Sequence, residues 1–115
     1  MNQIANDIYQ QLGGNHFVVM TGTKGFIWDD KTNTLRMALA RNASKANRLE
    51  IIYNYDDTYT MRFYHHKPFK TKIDIEKKIY KEYPEKITEV KTYSHIYCDQ
   101  LQELFTATTG MYTHL

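Results

Sequence analysis

The clearest pattern in the chain is an alternation of apolar and mostly polar residues between positions 48 and 66. A period of two places successive side chains on opposite faces of a strand. The alternation is interrupted at residues 56–57, two aspartates that favour a turn. The pattern therefore predicts a β-hairpin. The residues on the first of its two alternating faces are Leu49, Ile51, Tyr53, Tyr55, Tyr59, Met61, Phe63 and His65.

Residues 2–12 show a different period. Ile4, Ile8 and Leu12 recur every four residues, Asn2 precedes them as a candidate cap, and two glycines follow. This spacing predicts a short amphipathic helix.

Three short strands are predicted before the hairpin. Residues 16–20 form a continuous apolar run, which is typical of a buried strand, and residues 26–28 predict another. Residues 34–39 alternate and predict a half-buried strand with Arg36 facing outward. Residues 40–47 are polar and predict a loop.

Two alternatives stay open for the Lys-rich residues 67–93. Ile75, Ile79 and Tyr83 have helical spacing, with Asp74 as a candidate cap and Pro84 as a stop. Within the same segment, residues 88–92 alternate as a strand would. After that segment, residues 94–109 predict a C-terminal helix with Ser94 as its cap and Gly110 at its end. Such a helix would pack Cys98 among apolar side chains.

These elements predict one α+β domain over residues 1–115, in the order α-β-β-β-β-(α/β)-α. An antiparallel sheet of about four or five strands would lie under an N-terminal and a C-terminal helix. Residues 67–93 would be an insertion or elaboration of that sheet. A length of 115 residues suits a single core.

Composition places the chain among soluble globular proteins, with 42% hydrophobic and 24% charged residues. Residues 1–11 lack the pattern of a signal peptide, and no apolar run is long enough for a membrane span. A single cysteine, Cys98, excludes an internal disulfide and favours the cytoplasm. Adjacent residues His65 and His66 would point to opposite faces of a strand, so we expect no metal and no cofactor.

Tyrosine and charge suggest binding rather than catalysis. The chain has ten Tyr, a residue suited to binding surfaces, although Tyr also borders ordinary cores. The net charge is only +2. Arg41, Lys45 and Arg48 nevertheless cluster with Ser and Asn in one loop, and these side chains are common donors to phosphate oxygens. The alternative is that the short polar side chains bond their own backbone.

Catalytic signatures are weak, and we expect no enzyme. Residues 22–25, a Gly-Thr-Lys-Gly segment, lack the spacing of a phosphate-binding loop. Arg62, Tyr64 and His66 would share one strand face, which suits acid–base chemistry on RNA but also describes any exposed strand.

Seven segments of the chain have a recognisable sequence: QLGGNHF (11–17), MTGTKGF (20–26), LRM (35–37), RNASKAN (41–47), DTYTMRF (57–63), IYCDQLQELF (96–105) and TGMYT (109–113). Together they resemble a group of small proteins encoded by bacteriophages and related mobile elements. The resemblance covers most of the chain except about residues 67–92. It implies a single domain that acts by binding, either blocking host defence machinery such as CRISPR effectors or handling phage DNA or RNA.

We therefore expect a non-enzymatic accessory protein that binds a macromolecular partner in the host cytoplasm. The leading hypothesis is an anti-CRISPR-like inhibitor of a host defence nuclease. The alternatives are a module for single-stranded DNA or RNA and a small metal-independent RNase. We expect no membrane partner, and a homodimer through a strand edge is compatible with each hypothesis. The predicted partner-binding residues are Lys24, Trp28, Arg36, Arg41, Asn42, Lys45, Arg48, Arg62 and Tyr64.

Overall fold

A five-stranded antiparallel sheet organises the chain, and the predicted α+β class is confirmed. The computed structural model describes residues 2–113. None of the helices within that range has the length and apolar character to cross a membrane. The helices are α1 (Gln3–Leu12), α2 (Asn15–Thr21) and α3 (Leu101–Thr109), with a 3-10 turn, Cys98–Gln100, before α3. The strands are β1 (Lys24–Asp29), β2 (Thr34–Ala38), β3 (Arg48–Tyr53), β4 (Tyr59–Lys67), β5 (Lys70–Asp74), β6 (Ile79–Tyr83) and β7 (Lys86–Ile96).

The main sheet has the strand order β1-β2-β3-β4-β7, and each neighbouring pair is antiparallel. The predicted hairpin is confirmed as β3 and β4, in which Leu49 lies opposite Phe63. Both of these side chains are fully buried. The alternate side chains of the central strands form one core with the helices, and within the described part of the chain no helix covers the opposite face of the sheet. We call that uncovered side the open face.

Helix α1 forms as predicted. The Asn2 side-chain oxygen accepts hydrogen bonds from the backbone N–H groups of Ile4 and Ala5, at 2.7 and 3.2 Å. These bonds satisfy donors that have no partner within the helix. The helix buries Ile8 and Leu12 and ends at Gly13, whose φ of 122° suits glycine.

The strand predicted at residues 16–20 is wrong, because this segment is helix α2. Gly14 precedes the helix, and Gly22 ends it with a left-handed φ of 70°. Phe17 is buried and packs edge-on against Phe105 of α3, with 4.9 Å between ring centroids. Val19 is 80% exposed, which a buried strand would not allow. A short apolar run fits either structure, and packing of Phe17 against α3 selects the helix.

The C-terminal helix is shorter than predicted. Ser94 lies in β7 rather than at a helix cap, and α3 begins at Leu101. Gly110 ends the helix in the left-handed conformation, as predicted. Cys98 is exposed in the 3-10 turn, so the prediction of apolar packing is wrong.

Residues 67–93 form strands, so their predicted helical alternative is wrong. Strands β5 and β6 make a separate two-stranded sheet, which we call the arm (residues 70–83). The Asp74 carboxylate accepts a hydrogen bond from the Lys77 backbone N–H within the turn, at 3.2 Å, rather than capping a helix. The strand predicted at residues 88–92 is confirmed as part of β7.

Truncation of Phe105 should test the aromatic centre of the core. Because Phe105 is fully buried between Phe17 and Phe63, Phe105→Ala should lower the free energy of unfolding by about 3–5 kcal/mol. Urea unfolding followed by circular dichroism measures this change. The matched variant Phe69→Ala, at a side chain 57% exposed, should change it by less than about 0.5 kcal/mol. Equal losses in the two variants would contradict this description of the core.

Candidate binding cleft on the open face of the sheet

A row of alternating charges crosses the open face. Asp29, Arg36, Glu50, Arg62 and Glu89 lie on β1, β2, β3, β4 and β7, and each interacts with the next. The register places Arg36 opposite Glu50 and Glu50 opposite Arg62. Cross-strand pairs of opposite charge stabilise a sheet. We call this row the charge ladder.

Glu50 is the centre of the charge ladder. Arg36 Nε donates to one of its carboxylate oxygens at 2.9 Å, and Arg62 Nη1 donates to the other at 3.1 Å. Burial by itself raises the pKa of Glu50, but the hydrogen bonds from both arginines outweigh it, so the pKa lies below its ordinary value. The hydrogen bond to Glu50 raises the pKa of Arg36, and the hydrogen bond to Glu89, followed by the one to Glu50, raises the pKa of Arg62. Both arginines therefore already have carboxylate partners within the fold.

Tyr64 belongs to the same arrangement. Its hydroxyl donates to Glu50 at 3.2 Å, and the Arg62 guanidinium lies 4.3 Å from its ring centre. Burial, followed by the nearby charge of Glu50, raises the pKa of Tyr64. The register agrees with the prediction that Arg62, Tyr64 and His66 share one face of the strand. The side chains of Arg62 and Tyr64, however, are hydrogen-bonded to Glu50 in the charge ladder.

Beside the charge ladder the open face forms a hollow of about 440 Å³, which we call the cleft. Residues from all five strands line it, including Ile27 from one edge strand and Ile87 from the other. Arg48 also lines it, and its Nη1 donates to the neighbouring Asn47 carbonyl at 2.9 Å. None of the carboxylates in residues 2–113 forms an ion pair with Arg48. The cleft therefore contains a guanidinium available to an anionic ligand.

His66 and Glu85 also line the cleft and form a pair, with 2.9 Å between His66 Nε2 and a Glu85 carboxylate oxygen. His65 lies on the other side, in a second hollow, so the two histidines face apart as predicted.

The second hollow, also about 440 Å³, lies under the loop between β2 and β3, and we call it the loop hollow. Arg41 and Lys45 line it and are exposed. Asn42 also lines it, but its amide donates to the carbonyls of Ala40 and Ala46, each at 2.8 Å. Asn42 thus holds the loop together, which was the alternative interpretation for the polar side chains.

Two further predicted residues lie on different sides of the sheet. Trp28 pairs in register with the buried Leu35 and packs against the core, with its indole N–H bonded to Asp30. It is therefore on the side opposite the charge ladder. Lys24 is exposed and lies opposite Ala38, which lines the cleft.

The tyrosines do not form the common sheet face that would suit a Tyr-based binding surface. Tyr53, Tyr59 and Tyr93 pack with the core on the helix side. Tyr64 is on the open face, bonded to Glu50.

Charge is segregated along the strand direction. The turns at residues 29–33 and 54–58 lie at one end of the sheet and contain four Asp and one Lys. The loop at residues 39–48 lies at the other end and contains two Arg, one Lys and no acid. Residues 66–91 continue from that second end with eight Lys and five acids. We call this second end the basic end.

Sequence reasoning missed the carboxylates and the walls of the cleft. Glu50 had a detectable signal, because the predicted hairpin places it opposite Arg62. Glu85 and Ile87 had none, since their position depends on β7 joining the main sheet after the arm. Ile27 reaches the cleft only through the register between β1 and β2.

Comparison of the chain with models of protein families, with curated proteins and with solved structures finds no match. The resemblance to phage-encoded proteins stays a prediction.

Replacement of Glu50 should give a pH-dependent loss of stability. Because the folded pKa of Glu50 is lowered, its ionised form stabilises the folded chain above the pKa of an unfolded Glu, about 4.3. That contribution is lost as pH falls through the lower folded value. Glu50→Gln should therefore lower the free energy of unfolding by roughly 1–2 kcal/mol at pH 7. Below about pH 4 the difference should shrink.

Urea unfolding at pH 7, 5 and 3 measures this effect. Glu76→Gln, in the exposed turn of the arm, is the control and should match the unmodified chain at each pH. A Glu50→Gln effect of constant size from pH 7 to pH 3 would contradict the electrostatic account.

Proposed function

We propose that this protein is a non-enzymatic accessory protein that binds single-stranded nucleic acid at its basic end. The observation that carries the proposal is a set of cations around the cleft and the loop hollow that have no carboxylate partner within residues 2–113. Arg48 lines the first, whereas Arg41 and Lys45 line the second. Phosphate contacts from such side chains supply most of the affinity for nucleic acid.

The two hollows lie near the same end of the sheet, on opposite faces. Asn47 and Arg48 are consecutive, and each lines one of them; the same is true of His65 and His66. A flexible strand can contact both, whereas a rigid duplex is less suited to a surface that turns around the sheet end. The apolar side chains of Ile27 and Ile87 offer contact area for an unstacked base.

The charge ladder supports binding in place of catalysis. Arg62 and Tyr64, two of the three residues of the RNase hypothesis, are bonded to Glu50 or Glu89. His66 is paired with Glu85. These three side chains thus have carboxylate partners within the fold, whereas none of the carboxylates in residues 2–113 forms an ion pair with Arg48.

A second candidate function is inhibition of a host defence complex through protein contact, the leading hypothesis from the sequence. The observation that favours it is the exposure of large apolar side chains on and beside the arm, including Phe69, Ile73 and Ile75. Stable occlusion of a protein surface normally buries more than about 1,000 Å². Strands β1 and β7 are the edge strands of the main sheet, so a homodimer through a strand edge stays a prediction. Sedimentation velocity measures the oligomeric state.

Replacement of Arg48 should weaken nucleic-acid binding in a salt-dependent manner. Fluorescence anisotropy with labelled dT20 and rU20 at several salt concentrations measures both Kd and its salt slope. Arg48→Gln should weaken binding about tenfold at low salt, as expected for one lost charge-assisted contact. It should also reduce the salt slope by about 0.7.

Lys31→Gln is the matched control, because it removes one positive charge in a turn at the opposite end of the sheet. It should leave Kd and slope nearly unchanged. Oligomers that remain intact on a gel after incubation with the protein would agree with a non-enzymatic role. Cleaved oligomers would instead support the RNase hypothesis. Absence of binding at low salt would overturn the proposal and leave the protein partner as the function to pursue by affinity capture with host defence complexes.

A further inference from the structure

The arm extends from the basic end without a core of its own. Its strands form a sheet separate from the main one, and every residue from 70 to 83 is exposed except Asp74, which is half-buried. An isolated two-stranded ribbon has marginal stability in water. The arm therefore lacks the interaction that usually stabilises a hairpin, which is burial of the apolar side chains on one of its faces.

One face of the arm concentrates positive charge. Lys72 lies directly opposite Lys81 in the register. Together with Lys77 they line a hollow of about 180 Å³. Asp74, Ile79 and Tyr83 also line this hollow. Like charges placed opposite each other destabilise a sheet. This lysine face is therefore suited to an anion that would relieve the repulsion.

The other face of the arm is different. It presents Thr71, Ile73, Tyr80 and Glu82, of which Ile73 lies opposite Tyr80 and Thr71 opposite Glu82. The Tyr80 hydroxyl donates to Glu82 at 2.9 Å. This second face has no lysine, so the positive charge of the two strands is confined to one side.

The lysine face and the cleft are close together in the sequence. Residues 79, 81 and 83 line the hollow of the arm, and residues 85 and 87 line the cleft. Glu85 lies between the two strands β6 and β7, and its carboxylate is paired with His66. A chain-like polyanion that contacts both regions passes this pair between Arg48 and the lysine face.

We propose that the lysine face of the arm binds the phosphate backbone of the same single strand that occupies the cleft. This inference rests on the proposed function and adds a second contact region to it. Each arm strand has five residues, a length of about 17 Å, so the arm adds a few nucleotides to the site. Tyr83 offers a ring on which a base can stack.

The length of the oligomer separates the arm from the cleft experimentally. Anisotropy of the full chain with dT5 and dT20 is measured over a range of salt concentrations. Lys72→Gln/Lys81→Gln should weaken binding of dT20 about tenfold or more and reduce its salt slope by about 1.4, or 0.7 for each phosphate contact. Binding of dT5, which offers far fewer phosphates and is held mainly at the cleft in this proposal, should change less than twofold.

The matched control places the same change in net charge on arm residues that do not line the lysine hollow. Ile73→Glu/Ile75→Glu lowers the charge by two, as the lysine variant does, puts no carboxylate directly opposite Glu82, and should leave the dT20 slope close to that of the unmodified chain. Circular dichroism and urea unfolding of both variants test the fold of the main sheet, which the arm does not complete.

Each outcome decides between the two proposals. An equal loss of slope in both arm variants would show a general charge effect and overturn the arm proposal. An unchanged slope in the lysine variant, with binding by the unmodified chain, would also overturn it while the proposed function stands. If the unmodified chain binds neither oligomer at low salt, the proposed function fails and the arm proposal fails with it.

Discussion

The contact of Phe105 with Phe17 and Phe63 is the interaction on which the rest of the fold depends. It joins α3, α2 and β4, three elements that lie far apart in the sequence, with ring centroids 4.9 and 6.3 Å apart. Aromatic rings supply large buried areas and prefer such tilted or edge-on contacts. Because these rings and the aliphatic core draw all three helices to one side, the sheet has a covered face and an open face, and the chemistry of the two faces is different.

The open face must then be stable without helices over it. The charge ladder meets that requirement, since Glu50 and its two arginines satisfy one another across three strands. Burying such groups costs desolvation unless they are hydrogen-bonded, and here they are. One consequence concerns binding. The two arginines of the charge ladder are poor candidates for binding an external partner, because Glu50 already binds them. Arg48 lies two residues before Glu50 on the same face of β3 and lines the cleft.

Local patterns made parts of the fold predictable. The hairpin of β3 and β4 follows from a period of two over many residues, and α1 follows from Asn2, a fourfold repeat and Gly13. Helix α2 was not predictable, because residues 16–20 satisfy both periods and only Phe105 distinguishes them. The segment that contains the arm was ambiguous between helix and strand, because Ile75, Ile79 and Tyr83 have helical spacing by coincidence. Of the predicted site, Arg48, Arg41 and Lys45 lie at the same end of the sheet. The position of Trp28 depends on a strand register that composition does not reveal.

The pairing of β4 with β7 makes the arm a detour in a sheet that is complete without it. These two strands meet over an antiparallel register from Tyr59 opposite Ile96 to Lys67 opposite Lys86. A protease that cuts the exposed turn between β5 and β6 would therefore leave two fragments held together by backbone hydrogen bonds between β4 and β7 and by the buried core. Insertions at the same turn would lengthen the arm at little entropic cost, since loop closure depends only weakly on length. The fold thus offers a site where related chains can diverge in length while the main sheet is preserved.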